Sequence, residues 1–416
     1  MQAKGHLLTL AAAALLLTGV CQTVSAADLE AFTGARVIDG TGRNAIEKAT
    51  IVVRNGRIEA IGPNVKVPAG AQTIDVSGKT IIPGLINAHG HVSELADLGI
   101  CARYGITTIF SLGGDNELAL RDQTRAEQQK PGFTRARLFI AGPIPLSKTP
   151  EEGRKAVDAN AAAKVDIMKI RIDDQLGATK AMTPEVYTAI IEQAHKDGLR
   201  MAVHIVKLAD AKAVLKLGTE YIAHSVRDQD IDDETIALLK KNNSFYCPTL
   251  MREQSTYIYG ENPPFLNDPF LLRDAKPSEL AKVRDPGYQE SLRTNKAGAW
   301  YKEHLPVAMR NMKKLEDSGV QIVMGTDSGA PTGRFLGYFE HMELEQMTKA
   351  GLTPMQALVA ATSTPAKLLK QSDQIGTLQV GRWADLLVLS ANPLDDIRNT
   401  QKLDSVWIAG NKVPAK

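Results

Sequence analysis

The chain reads as an α/β protein: a (β/α)8 TIM-type barrel carrying a small β-sandwich domain built from both chain ends. Three observations predict it. Through the middle of the chain, short apolar runs alternate with helical patterns, which argues for parallel strands joined by helices. Eight such units fall within roughly 290 residues, a length that suits one barrel. The two ends instead carry short alternating strands separated by turns, and neither end could bury its apolar face alone.

At the start, "MQAKGHLLTLAAAALLLTGVCQTVSAADLE" holds one lysine, an apolar stretch from Leu7 to Val20, and small residues before Ala27. That pattern predicts a signal peptide over 1–26, cut after Ala26, and hence a periplasmic or secreted protein. The apolar stretch is too short for an ordinary membrane span. Val20 stands before Cys21 where a lipid-anchored protein would carry a small residue. From Phe32 to Val76, turns at "DGTGRN", "RNGRI" and "VPAGA" divide a meander of short strands. Residues 27–82 are therefore predicted to pair with 374–416 as a composite β-sandwich, leaving 83–373 for the barrel.

The eight barrel strands are expected in "TIIPGLINA", "GITTIFSLGG", "ARLFIAGP", "VDIMKIRI", "RMAVHIV", "TEYIAHS", "SFYCPTL" and "VQIVMGTD". Between them, "TPEVYTAIIEQAHKDG" has a threonine to cap a helix and a glycine to stop it. The stretch 252–301 is too long for an ordinary connection. Its Pro, Asn and aromatic content predicts a lid over the open face, with Tyr257, Tyr259 and Phe265 either shielding the site or packing the insertion.

The formal net charge is +2, and no basic run stands out, which argues against nucleic acid or an anionic membrane as partner once the signal is removed. A small-molecule substrate is expected, and a homo-oligomer stays open. Past residue 26 the cysteines are Cys101 and Cys247. Two cysteines make no disulfide framework, so pairing and separate thiols both stay open.

Chemistry-bearing residues recur where those strands end. His89 and His91 alternate on one strand and so point to the same side. His204 and His224 each end an apolar run. A histidine in such a place is commonly a satisfied core residue, but recurrence at the same position in successive units points to metal binding. Lys169 in "DIMKIRI" faces inward, where a lone ammonium is costly to bury unless it is paired or altered. An amine that has taken up carbon dioxide becomes an anionic carbamate able to bridge two cations; pairing with an acid such as Asp173 is the plainer alternative. Arg171 shares the inward face. Asp327 in "GTDSG" ends the last strand and would otherwise serve an Asx turn or a helix cap. The set predicts two divalent metal ions, zinc by ligand type, among His89, His91, Lys169, His204, His224 and Asp327, with N6-carboxylation of Lys169 one of the alternatives left open here. In the loop after the last strand, "DSGAPTGRFLGYFEHMELEQM", Arg334 and His341 are candidate substrate residues, although "FEHMELEQM" also reads as a helix start.

This ordering resembles the amidohydrolase superfamily, in its prolidase-like and imidazolonepropionase-like branch. The similarity runs over nearly all of the chain after residue 26, through "GKTIIPGLINAHGHV", "AVHIVKLADAKAVLKLGTEYIAHSV", "GTDSG" and "IGTLQVGRWADLLVLSANPLDDIR". It implies one metal on His89, His91 and Asp327, a second on His204 and His224, and carboxylated Lys169 between them. It implies hydrolysis of an amide or cyclic amide by a hydroxide shared by the cations, with Asp327 as the catalytic proton carrier. Asn87 stands where the family has an aspartate. The loop "AGPIPLSKTPEEG" lacks the family's histidine, and Val206 stands where a tyrosine is usual. Those groups hold a dipeptide's carboxylate in the family, so the departures imply substrates without a free α-carboxylate. The same site could instead serve an ester, lactone or phosphoester hydrolase, or a lyase or dehydratase acting on a sugar acid. A binding protein without turnover would have lost a ligand or Asp327, and all six are present.

Overall fold

Alternating apolar residues at the two chain ends build one sheet. In the computed structural model, which describes residues 29–416 apart from Asp115, Gln129, Pro131, Pro331 and Thr332, the ends interleave. The signal peptide expected over 1–26 lies outside the described residues. The first five strands are β1 (Leu29–Val37), β2 (Ile46–Arg54), β3 (Arg57–Gly62), β4 (Gln72–Asp75) and β5 (Thr80–Pro83). The last three are β14 (Leu386–Leu389), β15 (Leu403–Ile408) and β16 (Asn411–Lys412). Together they form an eight-stranded sheet in the order β16-β15-β14-β5-β1-β2-β3, with β4 beside β1. β14 runs antiparallel to β5, Leu386 opposite Pro83, and this pairing ties the two ends together. Phe32, Ile51, Val53, Ile81, Leu386 and Trp407 form a separate core there. The edge of one ring meets the face of the other where Phe32 and Trp407 pack at 4.9 Å. The expected sandwich thus takes the form of one continuous mixed sheet.

The middle of the chain supplies β6 (Leu85–Gly90), β7 (Ile106–Ser111), β8 (Arg137–Ile140), β9 (Met168–Arg171), β10 (Met201–His204), β11 (Tyr221–Ala223), β12 (Phe245–Cys247) and β13 (Gln321–Ile322). Seven of the eight expected runs contain one of these strands, and the first, "TIIPGLINA", holds β5 of the end sheet and the first four residues of β6. They pair in parallel as β6-β7-β8 and as β9-β10-β11-β12-β13. Between β8 and β9, the Asp166 amide donates to the Ile140 carbonyl at 3.0 Å. On the other side β6 is hydrogen-bonded to the segment after β13: Ala88 N–H to Met324 O at 2.8 Å, Asp327 N–H to His89 O at 2.7 Å and His91 N–H to Ser328 O at 2.8 Å. Parallel strands covered by helices bury both faces, so nearly every residue of β6 to β12 is buried.

The helix Pro184–Lys196 starts after Thr183 with proline in its first turn, and Gly198 at φ +76° turns the chain out of it. The Thr183 hydroxyl makes no capping bond. The stretch 252–301 folds as short helices with buried residues of its own, Tyr259, Leu266, Leu271 and Val283. Tyr259 packs on Phe265 and Phe335, and its hydroxyl donates to the Gly333 carbonyl. Its aromatics therefore pack the insertion. Cys101 and Cys247 are buried free thiols. Among the described residues no helix is long and apolar enough to cross a membrane.

Candidate metal centre

Strand ends bring the six predicted residues to one cavity. His89 belongs to β6 and His91 follows it; Lys169 lies on β9 and His204 ends β10. His224 follows β11, and Asp327 lies beyond β13. All six line a single cavity of about 910 Å³. The close approach of the last strand to the first needs Gly325, because a Cβ there would meet His89 Cβ at 2.7 Å and His89 N at 2.8 Å. His224 and Asp327 both adopt the left-handed backbone region, at φ +69° and +60°. For residues other than glycine that conformation is costly and persists only where surrounding structure enforces it.

His89, His91 and Asp327 form a cluster that could hold a metal ion. Asp327 Oδ1 lies 2.8 Å from His91 Nε2 and 3.3 Å from His89 Nε2. The other ring nitrogen of His91 donates to the Gly113 carbonyl at 2.9 Å, which leaves Nε2 facing the cluster. The ring of His224 lies 4.6 Å from that of His89 and 4.1 Å from that of His204. Thr249 Oγ1 engages His224 Nδ1 at 2.7 Å, leaving Nε2 as its remaining donor atom.

The donor set fits divalent cations. His89 Nδ1 and His204 Nε2 are buried with no hydrogen-bond partner, a costly arrangement unless something else meets such groups. Burial, reinforced by the Lys169 charge, pushes His89 down to about 3. Burial, with neighbouring positive charge, also holds His204 and His224 well below the ordinary imidazole range. Neutral imidazole is the form that binds a metal. Burial works against ionising Asp327, but Arg334 and the two histidines hold it well below the usual carboxylate range. Lys169 is buried and has no hydrogen bond or ion pair among the described residues. Burial pulls its ammonium down to about 8, against the pull of Asp327.

Of the two candidate substrate residues, the structure places one in the cavity. Arg334 lines it, pairs with Asp327 Oδ2 and donates to Ser255 Oγ at 2.9 Å. His341 does not reach it. Its ring is fully buried, with Nδ1 2.9 Å from Thr400 Oγ1 and Nε2 2.8 Å from the Tyr104 carbonyl. Both nitrogens are occupied, so His341 packs its helix and meets no ligand. From the stretch 252–301 only Arg252 lines the cavity; Tyr257, Tyr259 and Phe265, for which shielding and packing were both open, do not. Val206 is buried outside it. Asp173 does not pair with Lys169; its Oδ1 lies 3.4 Å from His204 Nε2.

Sequence reasoning missed Glu117. This buried carboxylate accepts the Gly113 amide at 2.9 Å and the Gly142 amide at 2.7 Å, so it fixes the loop whose carbonyl orients His91. Nothing near Glu117 in the sequence marks it, because two backbone amides and the Ser111 hydroxyl are what hold it. A glutamine cannot accept both amides at once. Glu117→Gln is expected to weaken binding of the first divalent cation roughly tenfold. Competition against a chromophoric chelator measures this, and an unchanged affinity would show that the loop holds His91 without Glu117.

Residues 80–413 match the amidohydrolase family. The chain is 24% identical to the ochratoxinase of Aspergillus niger over 294 residues, which is 68% of this chain but 52% of that protein, so it spans about half the length of that relative. It is 24% identical to the imidazolonepropionase of Deinococcus radiodurans over 382 residues, 88% of this chain and 92% of the relative. Among solved structures, a candidate prolidase from Bifidobacterium longum superposes with a TM-score of 0.74 at 28% identity, covering 93% of this chain and 94% of the other. With a match that takes in all of β6 to β13, together with β5, β14, β15 and β16 of the end sheet, the chain belongs to the amidohydrolase family.

Proposed function

We propose that the chain is a binuclear metal-dependent hydrolase of amide or cyclic amide bonds in small molecules, built on a closed (β/α)8 barrel and exported by the signal read in 1–26. The observation that carries the reading is the convergence of four imidazoles, Lys169 and Asp327 on one cavity, with buried ring nitrogens left without partners. His89, His91 and Asp327 would hold one cation, His204 and His224 a second, and Lys169 as its carbamate would bridge them. When bound, such cations make water nucleophilic at neutral pH and polarise a carbonyl.

The chain's own groups supply the rest. Asp327, held ionised by Arg334, accepts a proton from the attacking water and returns it to the leaving nitrogen. Arg334 is in turn anchored on Ser255, and Arg252 lies 4.0 Å from Asp327 Oδ2, so the carboxylate has little freedom to turn away. Leu112, Ile144, Met182 and Val186 give the cavity an apolar wall that keeps bulk water from the scissile bond.

A panel of anilides, lactams, hydantoins, esters, lactones and phosphoesters, run on one zinc-loaded preparation, tests the reading. Amide or lactam turnover at least tenfold above that of the oxygen esters, abolished by a chelator and restored by zinc, is the expected result. Turnover confined to esters or phosphoesters would replace the amide assignment.

A further inference from the structure

The cavity carries more positive charge than metal binding explains. Six basic side chains line it, Lys148, Lys169, Arg171, Lys180, Arg252 and Arg334, against two acids, Asp173 and Asp327. The whole chain carries a net charge of only +2, so this is a local concentration. Arg252 and Arg334 are engaged by Asp327, with Arg252 also held by Glu253 at 3.0 Å, and Lys169 belongs to the metal centre. The other three are different. Lys148, Arg171 and Lys180 have no side-chain hydrogen bond or ion pair among the described residues.

They also come from two separate segments. Arg171 is the last residue of β9 and shares the inward face with Lys169, one alternation further toward the mouth. Lys180 lies on the long connection from β9 to the helix starting at Pro184, and Lys148 on the connection after β8. Beside Lys148, on the same connection, Leu146 lines the cavity although it is 81% exposed, one of few large apolar side chains so exposed. Ile144, Pro145 and Met182 continue the apolar surface between the cations. An unpaired guanidinium has a planar fork that matches a carboxylate, and two lysines add charge without fixed geometry.

We propose that Lys148, Arg171 and Lys180 form an anion-binding subsite at the cavity mouth, and that the ligand taken there is an apolar small molecule bearing a carboxylate away from its scissile amide. The anion site stands on these three residues; only the word "amide" rests on the hydrolase reading above. Lys148 stands on the loop "AGPIPLSKTPEEG" that lacks the family's histidine, while Arg171 and Lys180 come from β9 and the connection after it.

A matched pair of probes tests it: 4-acetamidobenzoate and its neutral partner 4-acetamidobenzamide, with zinc-loaded full-length protein. Calorimetry reads binding, and chromatography of the same samples reads cleavage. The carboxylate is expected to bind about tenfold tighter than the carboxamide, the worth of a charge-assisted hydrogen bond. The preference should shrink with added salt, because the lysines are exposed. In Arg171→Gln it should fall to near one. The Lys148→Gln, Lys180→Gln double variant alters exposed loop positions only and should lose several-fold of the preference. Equal affinity of the wild type for both probes overturns the subsite. So does a preference kept in full by both variants, which would mean the carboxylate sits on the metals. If the preference behaves as expected while neither probe is cleaved under any metal, the subsite holds and the amide reading fails by itself.

Discussion

Replacing His204 or His224 with alanine is expected to lower the bound divalent cation from the proposed two per chain to about one, and to lower kcat/KM on the best amide roughly a thousandfold, about 4 kcal/mol of lost transition-state stabilisation. The warrant lies in how little else can hold the second cation. The two rings sit 4.1 Å apart, and His204 Nε2 is buried without a hydrogen-bond partner. His224 is oriented by Thr249 and held in a left-handed backbone that no neighbouring residue could readily take over. The first cluster, His89, His91 and Asp327, loses no member in either variant and is expected to keep its own cation. Elemental analysis and steady-state kinetics on the same preparation decide the matter. A fully active wild type holding one metal would overturn the binuclear arrangement, and a variant that keeps two metals would show that other side chains ligate the second.

Lys169→Ala is expected to lose activity by at least a hundredfold and to regain part of it when short carboxylic acids are added. A buried ammonium between two cations would be repelled by both, so the wild-type side chain must be made anionic to share the site. The amine adds to carbon dioxide, forms a C–N bond and releases a proton, leaving a carbamate with two oxygens to offer. Lys169 suits this, because it is buried on β9 with no carboxylate paired to it in competition. Mass spectrometry under native conditions should find one carbon dioxide added per metal-loaded chain. Loss of activity that acetate or propionate does not restore, together with an unmodified mass, would leave Lys169 a structural cation.

How much of this was legible depends on how local the signal is. The strand-end positions of His89, His204 and Asp327 follow from apolar runs and alternation, both of which are properties of adjacent residues. The pairing of the chain ends followed from a burial argument, since each end alone had an apolar face to hide. His341 misled because a histidine near the barrel mouth in sequence can turn into a helix interior; its two partners, Thr400 and the Tyr104 carbonyl, lie 59 and 237 residues away. Of the two roles left open for Tyr259 it takes packing, since an aromatic in a long insertion packs the insertion first. Lys148 and Lys180 were invisible as a pair. Only in the folded chain do the two connections that carry them line one cavity, and no local pattern encodes that.

The joining of β5 to β14 bears on how the chain is made. Pro83 and Leu386 stand opposite each other across some 300 residues of sequence, so the sheet that opens the barrel cannot finish until the far end of the chain has left the ribosome. Loop closure over such a span is slow, and until then β5 presents an unpaired edge. A chain truncated before residue 386 would lack that partner for good. The C-terminal segment is thus expected to close the assembly, and a stop codon shortly before it should yield aggregates instead of a smaller folded protein.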